Sequence, residues 1–262
     1  MHLKRSSAIV VLVTCLAACA TTGSHHVDWE PVSSERVLKV AMKTVDQYSR
    51  QRRSMRAQIK IAAPFLPGKT TSDGVVLAQP IDLMRLDLMD PVGEILVSLN
   101  LKLDALELWL PQQGRVYETD STDESIARLT RLPWTLSEFF ALLQGLPPRQ
   151  FSEDYEEWFV DPDGMATSPD GDAVMSLTPG INLPQEMIRY KNDLHKKVLY
   201  QVQFDDYRAT NLGMFPHHMT IEFMHPHKVV EMWFENVEWN PVVAWGALAP
   251  EYPEGTKVVN VH

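Results

Sequence analysis

The sequence predicts a mainly β, α+β domain: one antiparallel sheet curved around an apolar face, a helix ahead of it, and two helices in its middle. Three observations carry this. Apolar and polar residues alternate with period two in separate segments on both sides of the chain's centre. One early segment has a helical stripe instead. Two capping-box spacings, Ser121 to Glu124 and Thr135 to Glu138, fall near the centre.

The elements follow in order. Residues 34–53 read as a helix, with Val37, Ala41, Val45 and Tyr48 on one stripe. Met55, Ala57, Ile59 and Ile61 alternate with Arg56, Gln58 and Lys60 as a half-buried strand, which Pro64 and Pro67-Gly68 end. Val75–Gln79 is a short apolar run stopped by Pro80. Met84, Leu86 and Leu88 alternate with Arg85 and Asp87, and Asp90-Pro91-Val92-Gly93 has turn chemistry. Residues 94–100 and 101–110 are strand-like, with a bend near Asn100, and Pro111–Gly114 turns into a strand at 115–119. Helices are expected at 123–132 and 136–144, the second closed by Gly145 and very apolar, with Phe139, Phe140, Leu142 and Leu143. Residues 152–172 are acidic and rich in Pro and Gly, looped around a short strand at 158–160. Alternation returns at Val198, Tyr200, Val202 and Phe204, then at Met219, Ile221 and Phe223, and a last strand runs 228–239. The tail reads as irregular, residues 246–262 forming a separate segment after a domain at 32–245. The two middle helices must cover the apolar face or plug its mouth. Whether they close over a filled interior or a ligand cavity is left open by sequence.

The N-terminus carries its own chemistry. Lys4 and Arg5 precede an apolar run, Ala8–Leu16, too short to span a bilayer. It ends in Leu16-Ala17-Ala18-Cys19, which resembles the lipobox of bacterial lipoproteins. That resemblance implies a signal peptide at 1–18, a diacylglycerol on Cys19, a tether at 19–31 and permanent membrane attachment. Ala20, where Asp is absent, points by the same resemblance to the periplasmic face of the outer membrane. Removal of residues 1–18, with Lys4 and Arg5, takes the charge of the 262-residue chain from −10 to −12. So acidic a chain argues against nucleic-acid binding and against charge-driven adhesion to anionic lipid. Cys15 lies in the signal, so no disulfide is expected.

No nucleophile elbow, zinc-protease helix, phosphate loop or paired CxxC is present, so no enzyme is expected. His217, His218, His225 and His227 invite a metal reading. Yet His218 and His225 bracket a strand and lie roughly 23 Å apart at about 3.3 Å per residue, and two ligands make a weak site. Asp161–Gly164 and Asp170–Asp172 lack the remaining calcium ligands, so turns are favoured. No metal and no cofactor is expected beyond the lipid on Cys19.

Several segments, in order, resemble the LolB family of outer-membrane lipoprotein receptors. They are Arg85–Gly93, with its strand and Pro-apolar-Gly turn; Glu124–Pro147, with Leu129–Pro133 and Leu143–Pro147; and Tyr200–Tyr207, Pro216–Glu222 and Val229–Trp239. The resemblance covers residues 36–240 in patches. It implies an unclosed barrel of about eleven antiparallel strands with a helical lid, binding lipoprotein acyl chains and receiving them from a LolA-type periplasmic carrier, as a monomer. Strand parity offers Ile59, Ile61, Leu86, Leu88, Phe139, Phe140, Leu143, Tyr200, Val202, Phe204, Ile221 and Phe223 as cavity candidates. The turn Pro91-Val92-Gly93 matches the family's membrane-insertion turn, with Val92 where the family has Leu and Asp90 where it has Asn. The chain's 152–172 segment also looks longer than the family's. Two other functions fit the residues: a carrier or sensor of free lipid or glycolipid, and a structural envelope-assembly lipoprotein with a filled core.

Overall fold

The computed structural model describes residues 34–63, 71–79, 83–130, 132–147, 158–161, 165–178, 180–191, 197–225, 227–248 and 251–261. The signal segment, Cys19 and the tether lie outside the described residues, as do Pro64, Pro67-Gly68, Pro80 and much of 152–164. Residues 33–262 form one compact unit.

Helix α1, Ser34–Gln51, buries Leu38, Ala41, Met42 and Val45. The buried stripe is therefore centred one position beyond the predicted one, and Val37 and Tyr48 sit at its margins, half-buried. Six antiparallel strands follow: β1 Met55–Ala62, β2 Thr71–Gln79, β3 Leu83–Met89, β4 Ile95–Lys102, β5 Ala105–Leu110 and β6 Arg115–Asp120. In β1, burial alternates strictly over the first seven residues, because Met55, Ala57, Ile59 and Ile61 face the interior. The chain does not bend at Asn100, which is buried inside β4; it reverses at Leu103-Asp104, where Leu103 adopts φ 51°. Strand β2 starts four residues before its predicted apolar run. At Gly74 a Cβ would lie 2.4 Å from the Asp87 carbonyl oxygen, so β2 and β3 approach too closely there for any side chain.

Helices α2, Asp123–Thr130, and α3, Leu136–Leu143, come next. The capping box at α3 is made as predicted: the Glu138 amide donates to Thr135 Oγ1 and the Thr135 amide to Glu138 Oε2. The box at 121–124 is displaced by one residue. Thr122, not Ser121, accepts from the Ser125 amide at 3.2 Å, and position three of the helix is then Ser125 rather than Glu124.

The second half supplies β7 Phe159–Val160, β8 Ala166–Thr167, β9 Ala173–Leu177, β10 Pro184–Tyr190, β11 Val198–Thr210, β12 Gly213–Met224 and β13 His227–Trp239. The tail is not wholly irregular. Helix α4, Trp245–Leu248, leads to β14, Lys257–Asn260, which pairs in parallel with β6. Spatial order is β14-β6-β5-β4-β3-β2-β1-β13-β12-β11-β10-β9-β8-β7. The sheet is unclosed, with β14 and β7 as its edges. Its eleven longer strands, β1–β6 and β9–β13, pair antiparallel throughout. The two-residue β7 and β8 extend one edge and β14 the other.

Candidate functional site

Period-two geometry sends one row of each strand inward. All twelve cavity candidates are buried, between 0% and 8% exposed, in a single apolar cluster. Ile59 and Ile61 enter it from β1, Leu86 and Leu88 from β3, Tyr200, Val202 and Phe204 from β11, and Ile221 and Phe223 from β12. Phe139, Phe140 and Leu143 enter from the other side, on α3, so this helix sits on the sheet's apolar face. Trp134, in the link before α3, was not singled out by sequence. Its ring lies 4.8 Å from Phe139 and 5.4 Å edge-on from Phe223, joining lid to sheet.

Polar contacts also hold α3. Glu138, itself buried, pairs with Arg189 of β10 at 3.3 Å, and Arg189 pairs with Asp172. Beside them the fully buried Tyr200 hydroxyl has its pKa pushed well above the ordinary tyrosine value, first by burial and then by the Glu138 carboxylate. At the C-terminal end of α3, Gly145 at φ 64° packs against the Pro216 and Phe215 rings, where a Cβ would meet Pro216 Cδ at 2.5 Å.

Arg52, 1% exposed just after α1, is another residue that sequence reasoning missed. Its guanidinium donates to the carbonyls of Gln144 at 2.8 Å and Met214 at 2.7 Å. It also lies over the rings of Tyr48 at 4.1 Å and Trp239 at 4.6 Å. Burial lowers its pKa to about 10. Arg52 thus ties the end of α1 to the end of α3 and to the β11–β12 hairpin. No sequence signal marks it: an Arg ending a helix is ordinary.

The turn after β3 is presented outward. Val92 is 81% exposed, the largest exposure of any large apolar side chain among the described residues of this half of the sheet. The turn holding it is fixed by Asp90: Oδ1 accepts from the amides of Val92 and Glu94, both at 2.9 Å, and the Gly93 amide donates to the Asp90 carbonyl. Gly93 adopts φ 87°. Asp90 therefore spends one carboxylate oxygen on the turn itself.

The histidines do not converge. His217 Nδ1 meets the Phe234 carbonyl, His218 stacks on Trp233, and His225 and His227 are exposed. Among the described residues no group of metal ligands is assembled.

No protein-family model matches the chain, and no curated protein matches it significantly. Solved structures do. The chain is similar to a domain assigned to outer membrane lipoprotein sorting from Vibrio parahaemolyticus, at 13% identity and TM-score 0.50, over 81% of this chain and 97% of that one. It is also similar to a DUF1329-family protein from Desulfovibrio piger, at 11% identity and TM-score 0.49, over 80% and 98%. A third is a LolA-superfamily protein from Nitrosomonas europaea, at 12% identity and TM-score 0.45, over 79% and 94%. The fold shared with the lipoprotein-sorting domain is an unclosed, largely antiparallel sheet with helices on its apolar face. At these identities the likeness concerns fold alone.

Proposed function

We propose that this chain is a lipid-anchored envelope protein that takes lipoproteins from a LolA-type periplasmic carrier and helps place them in the outer membrane. The observation that carries the reading is Val92 on an outward turn, tied by Asp90, of a LolA/LolB-type sheet whose inner face is mostly apolar. Acyl chains need non-directional apolar contact, which suits a receptor that must release many cargoes. Because α3 covers that face, entry requires the lid to swing away from Phe223 and Trp134, breaking the Arg52–Gln144 and Glu138–Arg189 contacts. Val92 then contributes at most about 1.5–2 kcal/mol on entering lipid, enough to orient the domain but not to anchor it. The anchor is the lipid on Cys19, and the protein works by binding, not catalysis.

The test is transfer. The domain carrying Cys19→Ala is mixed with a carrier loaded with a lipoprotein, and cargo is followed by pull-down. Cargo moves to this protein if the reading holds, and Val92→Glu then blocks delivery to liposomes while leaving reception intact. A folded domain that takes no cargo from a carrier of the same organism sinks the reading, and a free-lipid carrier or an assembly lipoprotein replaces it.

A further inference from the structure

A groove of about 650 Å³ opens on the outer face of the sheet, across β13, β1, β2 and β3. One cross-strand row lines it with Trp233, Lys60, Asp73 and Met89, and the next adds Glu235 and Val75. The Trp233 ring is backed by His218, stacked at 5.2 Å and 17°, so one face is braced while the residue borders the groove. Lys60, Asp73 and Glu235 are exposed and make no ion pair among the described residues. Lys60 and Asp73 stand directly opposite each other across β1 and β2 without closing an ion pair, while Glu235, at the groove's other side, also raises, after Asp206, the pKa of the nearby Arg208 guanidinium. Met89 closes the groove on β3 and runs straight into the turn that presents Val92. From Trp233 to Met89 is three strand steps, about 14 Å.

We propose that this groove seats the headgroup of a zwitterionic phospholipid of the phosphoethanolamine type; the proposal rests on the reading that the Val92 turn meets a membrane. The headgroup carries a phosphate and an ammonium joined by two carbons. Lys60 and Asp73 are cross-strand partners with Cβ atoms about 4.5–5.5 Å apart, the spacing at which one molecule can offer its phosphate to the first and its ammonium to the second. Glu235 supplies a second acceptor for the ammonium's three N–H donors. Trp233 belongs at headgroup depth, where its ring contacts apolar and polar matter together. Two carboxylates against one lysine leave the groove net negative, which disfavours anionic headgroups such as glycerol phosphate. A choline headgroup has no N–H to donate to Asp73 or Glu235. The groove thus distinguishes among headgroups, and it would hold the domain in register with the surface while the turn enters it.

The full chain with Cys19→Ala, nitrogen-labelled, is titrated with glycerophosphoethanolamine, glycerophosphocholine and glycerol phosphate. The reporter is the Trp233 indole N–H resonance, assigned by its loss in Trp233→Phe. A saturable shift is expected with the first, with the other two at least about tenfold weaker, and Lys60→Glu and Asp73→Asn each weaken it about tenfold or more, as loss of a charge-assisted hydrogen bond should. Both positions are exposed, so unchanged circular dichroism is expected. Val92→Glu must leave this titration unaltered, which separates failure of the groove from failure of the membrane-turn reading. On vesicles, wild type floats more with phosphatidylethanolamine in phosphatidylcholine than with phosphatidylcholine alone, and Lys60→Glu erases the difference. No saturable shift, equal response to the three headgroups, an unweakened Lys60→Glu or flotation indifferent to phosphatidylethanolamine would each overturn the proposal.

Discussion

Replacing Arg52 by Met tests whether one buried cation fastens the lid. Two short hydrogen bonds disappear, to Gln144 and Met214. Bonds from a charged donor contribute about 1.5–3 kcal/mol each, so their loss costs about 3–6 kcal/mol. Contact with the Tyr48 and Trp239 rings adds about 2 kcal/mol. Against this stands the burial cost that Met removes. The drop from 12.5 to about 10 corresponds to about 3 kcal/mol at 1.36 kcal/mol per pKa unit. The balance is a destabilisation of about 2–5 kcal/mol, a fall in Tm of about 5–15 °C for a domain of this size. A base whose folded pKa is depressed is destabilising while both states are protonated, and is relieved only as pH rises through 10, so the comparison is constant at neutral pH. Calorimetry gives the first number. Hydrogen exchange gives the second: amides of 136–146 should exchange faster than those of β1, because the lid has lost its tie. A Met variant as stable as the parent, with α3 still protected, would refute the reasoning and mean that the two carbonyls find other donors.

Val92→Glu should leave unfolding stability unchanged within about 0.5 kcal/mol, since the side chain is exposed and unbonded, and its effect should be confined to liposome delivery. Gly145→Ala should destabilise by about 2 kcal/mol or more in thermal unfolding, because it strains φ 64° and drives a methyl into Pro216. Tyr252→Phe removes a hydroxyl that bonds Glu107 and should lower stability by about 1–2 kcal/mol, read in urea unfolding. Tyr200, Tyr207 and Tyr252 have raised pKa values, chiefly through burial. Their stabilisation is complete below the unfolded value near 10 and is lost above it, by at most about 4 kcal/mol per pH unit for the three; Tm measured across pH 9–11 should be flat and then fall steeply.

How far the sequence was legible depended on how simple each burial pattern is. Strand β1 shows both faces cleanly, Ile59 and Ile61 against Gln58 and Lys60, because only one side of it is covered. The Thr135–Glu138 box was readable because its two hydrogen bonds are local. Strands β9 and β10 were not singled out: Glu186, Arg189 and Tyr190 interrupt the alternation, and Arg189 is charged yet inward, paired with Glu138 and Asp172 from distant segments. The tail defeated the reading for a related reason. Strand β14 is four residues among prolines and glycines, with no apolar face of its own, and it exists because β6 offers an open edge. Its approach buries the polar side of β3–β5, where Tyr252 meets Asn100 and Glu107 and packs at 5.5 Å on Trp109. Nothing local marks Asn100 as buried. Arg52 was illegible in the same sense, since its partners lie about ninety and one hundred and sixty residues downstream.

The seam between β1 and β13 sets the order in which the molecule can come into being. Met55 faces Trp239, 184 positions later, and Ala62 faces Glu231. The first strand made therefore waits, with one edge bare, until nearly the whole polypeptide exists, and β6 waits longer still for Lys257. Pairings of such separation close slowly because the intervening loop must be ordered first. The hairpins from β1 to β6 can pair locally as they are made, but the seam that completes the sheet cannot. In a chain exported as the lipobox-like Leu16–Cys19 segment proposes, that delay keeps the sheet incomplete during transit, at the hazard that bare strand edges meet one another first if export stalls.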